Sequence, residues 1–153
     1  MANITTVKEL AVKIAEMRKA QQIFSSYSQA QVDKICPAVA TAAIQARISL
    51  AKLAVQETQM GILEDKILKN HIAAEFVYHK YRNLKTCGIL ETNEELGMQK
   101  VAAPVGLVGA ILSVTSPTSV AIFEILLCLK TRNAIFVSPH PQAKACTCAA
   151  VEL

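Results

Sequence analysis

Tryptophan is absent from the 153 residues, and aromatic residues make up only 5% of them. Single-stranded nucleic acid is gripped by stacked aromatics beside cations, so that class of partner has little to bind here. The net charge of +4 comes from 16 basic and 12 acidic residues scattered through the chain, without a basic block. Histidine is scarce, and the pair His71 and His79, about two helical turns apart, has no third ligand or carboxylate beside it; no metal is expected. The cysteines at 36, 87, 128, 146 and 148 are odd in number and unpatterned, which points to reduced thiols in a cytoplasmic setting instead of a disulfide frame. Cys146 and Cys148 lack the second ligand pair of a structural zinc site, and Cys87 has no base placed to activate it. No uncharged stretch supplies the ~18–20 apolar residues of a membrane span, since Val101 to Phe123 is broken by Pro104, Pro117 and several hydroxyl residues. The N-terminus also lacks the short apolar core of a signal peptide. The expectation is a soluble, cytoplasmic protein with neither nucleic acid nor membrane as partner.

What is present suits a folded core: 52% hydrophobic residues and a mean hydropathy of +0.33. Thr6 to Glu9 matches a capping box and opens an amphipathic helix with Val7, Leu10, Ile14 and Met17 on one face. Ser28 to Gln31 is a second box, opening a helix that turns Val32, Ile35, Val39, Ala42, Ala43 and Ala46 inward. Pro37 falls inside that helix, where a missing N–H and a ring clash cost about 3 kcal/mol, so a kink or break is expected near Ile35. A third helix is expected from about Leu50 to Gln59, stopped by Gly61, and a fourth from about Glu64 to Asn83. Thr86 to Leu90 and Met98 to Ala102 suit short strands around a polar turn at Glu91 to Gly97.

From residue 105 onward the pattern changes to strand, turn, helix, strand. Val105 to Val114 is uniformly apolar and suits a central parallel strand buried on both faces; Ala134 to Val137 suits a second. Between them Val120 to Lys130 suits a helix packed on more than one side, with Lys130, Arg132 and Asn133 as its C-terminal cations and stop. The expected fold class is α/β: N-terminal helices over 1–85, a short linker hairpin over 86–103, and a βαβ unit of a Rossmann-like cofactor domain over 104–153.

Open α/β sheets place ligands just past the carboxyl ends of their strands. Two corners occupy that place here: Thr115, Ser116, Pro117 and Thr118 after the first strand, and Ser138, Pro139, His140 and Pro141 after the second. Hydroxyls at the first suit a phosphate or a carbonyl, and the helix that follows favours an anion; equally, the same hydroxyls serve as helix caps. His140 is suited to a ribose or phosphate, or to rigid surface between two prolines. No G-x-G-x-x-G occurs, and Gly106 and Gly109 are expected to allow close packing.

The motifs Glu64-Asp-Lys66, Lys69-Asn-His71, Lys85-Thr-Cys-Gly88, Ser116-Pro-Thr-Ser-Val-Ala-Ile-Phe123 and Lys130-Thr-Arg-Asn-Ala-Ile-Phe-Val-Ser-Pro-His-Pro141 occur in order over nearly the whole chain. Together they resemble the acylating aldehyde dehydrogenase family, and in particular the N-terminal aldehyde dehydrogenase module of bifunctional aldehyde-alcohol dehydrogenases. The resemblance implies oxidation of a short aldehyde to an acyl-CoA, with NAD as cofactor and coenzyme A as co-substrate, in a homo-oligomer. It places the two corners along the NAD site and the nucleophilic cysteine in a later region, so no catalytic residue is assigned within these residues. Ser116 stands where the family carries an oxyanion-binding asparagine; loss of one such donor costs roughly 10²–10³ in rate. The implied function is the N-terminal segment of such an enzyme, inactive alone. Two alternatives remain: a non-catalytic relative that associates with a full-length partner, and a weak nucleotide-binding module.

Overall fold

A computed structural model describes residues 4–153. Helix α1 spans Val7–Ser25, and its capping box forms: Thr6 Oγ1 accepts the Glu9 N–H at 3.2 Å, while the Glu9 carboxylate accepts the Thr6 N–H at 3.3 Å. Leu10, Ile14 and Met17 are half-buried as expected, and the stripe continues beyond the expected residues through buried Gln21 and half-buried Phe24. Val7, assigned to that stripe, is instead 83% exposed. The second box forms as well, with the Gln31 side-chain oxygen accepting the Ser28 N–H at 2.8 Å.

Helix α2 then runs without a break over Gln29–Thr58, straight through Pro37. Two expectations are corrected here: no break occurs near Ile35, and the separate helix at Leu50 to Gln59 is the continuation of α2. Packing explains it. Val32, Cys36, Ala40, Ala43, Leu50, Ala51 and Ala54 form one buried stripe on both sides of the proline, so a single lost ladder bond is outweighed by burial along the whole rod. By length and composition alone α2 would pass as a membrane span, but this stripe lies against the following helices. Its end is a left-handed Gln59 (φ 54°), followed by Gly61 at φ 74°, where a Cβ would sit 3.3 Å from Lys66 Cε.

The next helical stretch is α3, Leu63–His71, a π turn over Ile72–Phe76, and α4, Val77–Tyr81. The π turn was not legible in the periodicity. Strands β1 (Gly88–Asn93) and β2 (Met98–Ala102) form an exposed antiparallel hairpin, shifted from the expected start at Thr86. Strand β3 (Leu107–Ile111), helix α5 (Pro117–Lys130) and strand β4 (Ala134–Ser138) make the βαβ unit, its strands parallel with Leu107 opposite Ala134 and Ile111 opposite Ser138. Helix α6, Lys144–Val151, follows a single 3₁₀ turn. The α/β class therefore stands, with helices first and a parallel pair after them.

Burial of the pair is less than expected. Ile111 is 90% exposed and Val105 84%, and β4 is half-buried throughout, because two paired strands offer only one covered face among the described residues. Gly106 and Gly109 do not serve close packing, since an added Cβ would meet nothing within 4 Å at either; Gly106 is needed for its φ of 112°. The core lies between this sheet and the helices, and it is rich in small residues: Ala40, Ala43, Ala73, Ala74, Ala110, Ala121 and Ala150 surround Leu50, Leu112, Ile122 and Leu126. Small side chains let α2, the π turn and α5 approach closely, which sets where α5 starts.

Helix α5 ends in a Schellman motif, with the Asn133 N–H donating to the Cys128 carbonyl oxygen at 2.8 Å and the Arg132 N–H to that of Leu129 at 3.2 Å. Arg132, not Asn133, takes the left-handed conformation, at φ 58°.

Candidate functional site

Both expected corners lie at the carboxyl ends of the parallel strands, and a backbone bond joins them: the Leu112 N–H donates to the Ser138 carbonyl oxygen at 3.0 Å. Parallel register brings the two strand ends level, so the corners are neighbours. This is the arrangement in which α/β sheets bind ligands.

At the first corner Thr115 is exposed and its hydroxyl lies 3.3 Å from that of Ser113. Ser116 is half-buried at the N-cap of α5 but makes no side-chain cap bond, and its backbone (φ −142°, ψ 51°) is not that of a regular cap. Pro117 occupies the first helical position, where its missing N–H costs nothing. Thr118 is only 1% exposed, and its hydroxyl donates to Asn70 Oδ1 at 2.8 Å. Thr115 and Ser116 therefore offer side-chain groups outward, while Pro117 and Thr118 shape the backbone beneath them.

The second corner is half-buried through Ser138, Pro139 and His140, with Pro141 exposed. His140 Nδ1 accepts the Gln142 N–H at 3.2 Å, so that nitrogen is taken up by the backbone of the turn. A separate cavity of about 450 Å³ lies on the α1 side of β4, among Met17, Ile135, Phe136, Val137 and Val151; Pro139 is the one corner residue in its lining. The corners, which carry the polar groups and the strand ends, make the better candidate.

Three residues that sequence reasoning did not assign to the site come to it from α3. Lys66 Nζ donates to the Thr115 carbonyl oxygen at 2.6 Å, Lys69 Nζ lies 3.4 Å from Ser116 Oγ, and Asn70 also donates to the Arg47 carbonyl oxygen of α2 at 3.0 Å. Burial, and then the like charge of Lys69, holds the Lys66 ammonium below its ordinary pKa. Their i, i+3, i+4 spacing is a signal that they share a face, but not of what that face meets.

The cysteines carry no sign of reactivity here. All five are free; Cys36, Cys87, Cys128 and Cys146 are buried and Cys148 is half-buried. Burial, with the Glu57 carboxylate next to it, pushes the Cys146 thiol up to about 12. Among the described residues no cluster of three His, Cys, Asp or Glu side chains could hold a metal ion.

No family profile matches the chain. Individual proteins do. It is 57% identical over 144 residues to an aldehyde-alcohol dehydrogenase of Clostridium acetobutylicum, covering 94% of this chain and 17% of that protein. It is 35% identical over 153 residues to a succinate-semialdehyde dehydrogenase (acetylating) of Clostridium kluyveri, covering all of this chain and 33% of that one. A solved acetylating aldehyde dehydrogenase of Geobacillus thermoglucosidasius superposes with a TM-score of 0.91 at 42% identity, covering 95% of this chain and 32% of the other. The chain thus spans between about a sixth and a third of the length of the relatives it matches. In sequence and in fold it belongs to the acylating aldehyde dehydrogenase family, matching the N-terminal aldehyde dehydrogenase module of the bifunctional members.

Proposed function

We propose that this chain supplies the first wall of the dinucleotide cleft of an NAD-dependent, CoA-acylating aldehyde dehydrogenase that acts on acetaldehyde or another short aldehyde. The observation that carries the reading is the pair of joined corners at the ends of β3 and β4, in a chain 57% identical to an aldehyde-alcohol dehydrogenase. The residues fit the cofactor: Thr115 is exposed, Ser116 keeps its hydroxyl free of capping, and Ser138 to His140 form a half-open edge beside them. In this reading Thr115, Ser116, Ser138 and His140 hold NAD through hydroxyl, ring and backbone groups, and Pro117, Thr118, Pro139 and Pro141 keep the two corners in shape. NAD supplies the hydride acceptor. Ser116 donates a hydrogen bond to the oxygen of the aldehyde carbon as a thiol from another part of the enzyme adds to it; the thiohemiacetal so formed would lose a hydride to NAD and its hydroxyl proton to become a thioester, from which coenzyme A would take the acyl group and free the thiol.

The catalytic thiol is assigned outside these residues, as the family resemblance implies; here four thiols are buried, and the half-buried Cys148 lies on α6 with no base among the described residues bonded to it to activate it. Purified 1–153 mixed with acetaldehyde, coenzyme A and NAD is expected to form no NADH, whereas a full-length product carrying this segment forms it. Turnover by the isolated chain, or a full-length product without CoA-dependent turnover, would defeat the reading. A cytoplasmic location and a homo-oligomeric state complete the proposal.

A second reading is favoured by the exposure of Ile111 at 90% on β3 and of Val105, just ahead of that strand, at 84%. Apolar strand residues in water promote association, so a non-catalytic chain that pairs with a full-length relative would expose such a face. Light scattering on 1–153 separates the two: a monomer at all concentrations counts against association. Calorimetry with NAD tests the remaining idea of a nucleotide-binding module, which fails if millimolar cofactor gives no heat.

A further inference from the structure

One face of α3 grips the first corner at three points. Lys66 holds the Thr115 carbonyl oxygen at 2.6 Å, Asn70 accepts the Thr118 hydroxyl at 2.8 Å, and Lys69 Nζ stands 3.4 Å from Ser116 Oγ. Lys66 and Asn70 are 4% and 0% exposed. Among the described residues no ion pair includes Lys66. A buried ammonium without a carboxylate is costly, and an apolar side chain of like length would fill the space at lower cost. What the charge achieves at this place is a hold on one oxygen of the corner.

The Lys69 contact has a direction. An ammonium carries donors and no acceptor, so Ser116 Oγ must accept from it, and the serine proton has to point elsewhere. The start of α5 does not use that hydroxyl as a cap. A cation on the oxygen also polarises the O–H, which strengthens it as a donor. We propose that α3 is the positioning element of this corner: Lys66 holds its backbone at Thr115, Asn70 holds the Thr118 hydroxyl, and Lys69 turns the Ser116 hydroxyl outward as a donor for the reacting oxygen. Ser116 is the residue that touches substrate; Lys69 acts through it. The inference rests on the acylating reaction proposed above and explains how a short serine serves at a position where a longer amide is usual.

The test is a mutant cycle in the full-length product that carries this segment. Lys69→Met is expected to lower kcat about tenfold with KM for the aldehyde nearly unchanged, the pattern of an interaction made only in the transition state. On a Ser116→Ala background the same change should have no further effect, and with Ser116→Asn the rate should no longer depend on Lys69. Lys69 is exposed enough that its loss leaves folding intact, so the cycle decides the matter even if Lys66→Met does not fold. Unchanged kcat in Lys69→Met, or losses that add to those of Ser116→Ala, would overturn the positioning role while leaving the acylating reaction in place. A wild-type enzyme without CoA-dependent NADH formation would overturn the reaction and the positioning role together.

Discussion

The guanidinium of Arg132 donates to the carbonyl oxygen of Ser25 at 2.6 Å and so ties residues 107 apart in sequence. The same group reaches the Ala102 carbonyl oxygen at 3.0 Å, and the Arg132 carbonyl oxygen accepts from Gln21 at 3.1 Å. One residue thus joins the end of α1, the hairpin and the turn into β4. It does so from a left-handed backbone at φ 58°, which costs an L-residue roughly 1–2 kcal/mol. Arg132→Ala should destabilise the chain by about 2–3 kcal/mol, through lost hydrogen bonds to charge with the strain retained. Arg132→Gly should cost about 1 kcal/mol less, because glycine relieves the backbone. Denaturant unfolding of the two variants checks the order, and glycine proving worse than alanine would contradict it.

Glu57 on α2 caps α6 from outside. Its carboxylate accepts the Ala145 N–H at 2.8 Å and the Cys146 N–H at 2.7 Å, where the helix dipole favours negative charge. Burial alone would raise its pKa, but the bonds from Cys146, Ala145 and Lys144 outweigh burial and lower it. A carboxylate lowered in the folded state contributes stability that is present above its unfolded value and lost as pH falls through the folded one. Glu57→Gln should therefore cost about 1 kcal/mol at neutral pH and little in acid, which thermal melts across the carboxylate range would show. Equal loss at every pH would exclude the charge effect.

Pro37 leaves the Asp33 carbonyl without its ladder donor in an otherwise continuous α2. Pro37→Ala should raise stability by about 1–2 kcal/mol, the interior penalty less the entropy that proline removes from the unfolded chain. An unchanged or lowered denaturation midpoint would mean that the ring's own packing matters more than the missing bond.

Thiol chemistry gives a map of burial. Burial raises the pKa of Cys36 and Cys128, and Cys146 is higher still, at about 12. In native buffer, iodoacetamide should label Cys148 first and the four buried cysteines only after denaturation, as followed by peptide mass spectrometry. Early labelling of Cys146 would show that α6 opens easily.

The candidate corners were partly legible from local pattern. Hydroxyl and proline residues after an apolar run marked both corners, since strand ends and helix starts each leave their own signature within a few residues. Lys66, Lys69 and Asn70 shared a recognisable motif and a helix face, yet nothing local linked them to residues 115–118, nearly 50 positions away. The π turn at Ile72–Phe76 was equally silent, because one extra residue in a helical turn changes no residue preference.

Sequence by itself determined what is built from short-range bonds: the Thr6–Glu9 and Ser28–Gln31 boxes, the proline at the first position of α5, and the strand-helix-strand order that follows. Each depends on groups within one turn of one another, so their preference survives any packing. Tertiary structure alone decided that α2 crosses Pro37 unbroken, that Arg132 rather than Asn133 turns left-handed, and that α3 reaches the first corner. In those three places burial and distant hydrogen bonds outweighed local preference, and such energy exists only after the chain has brought its far parts together.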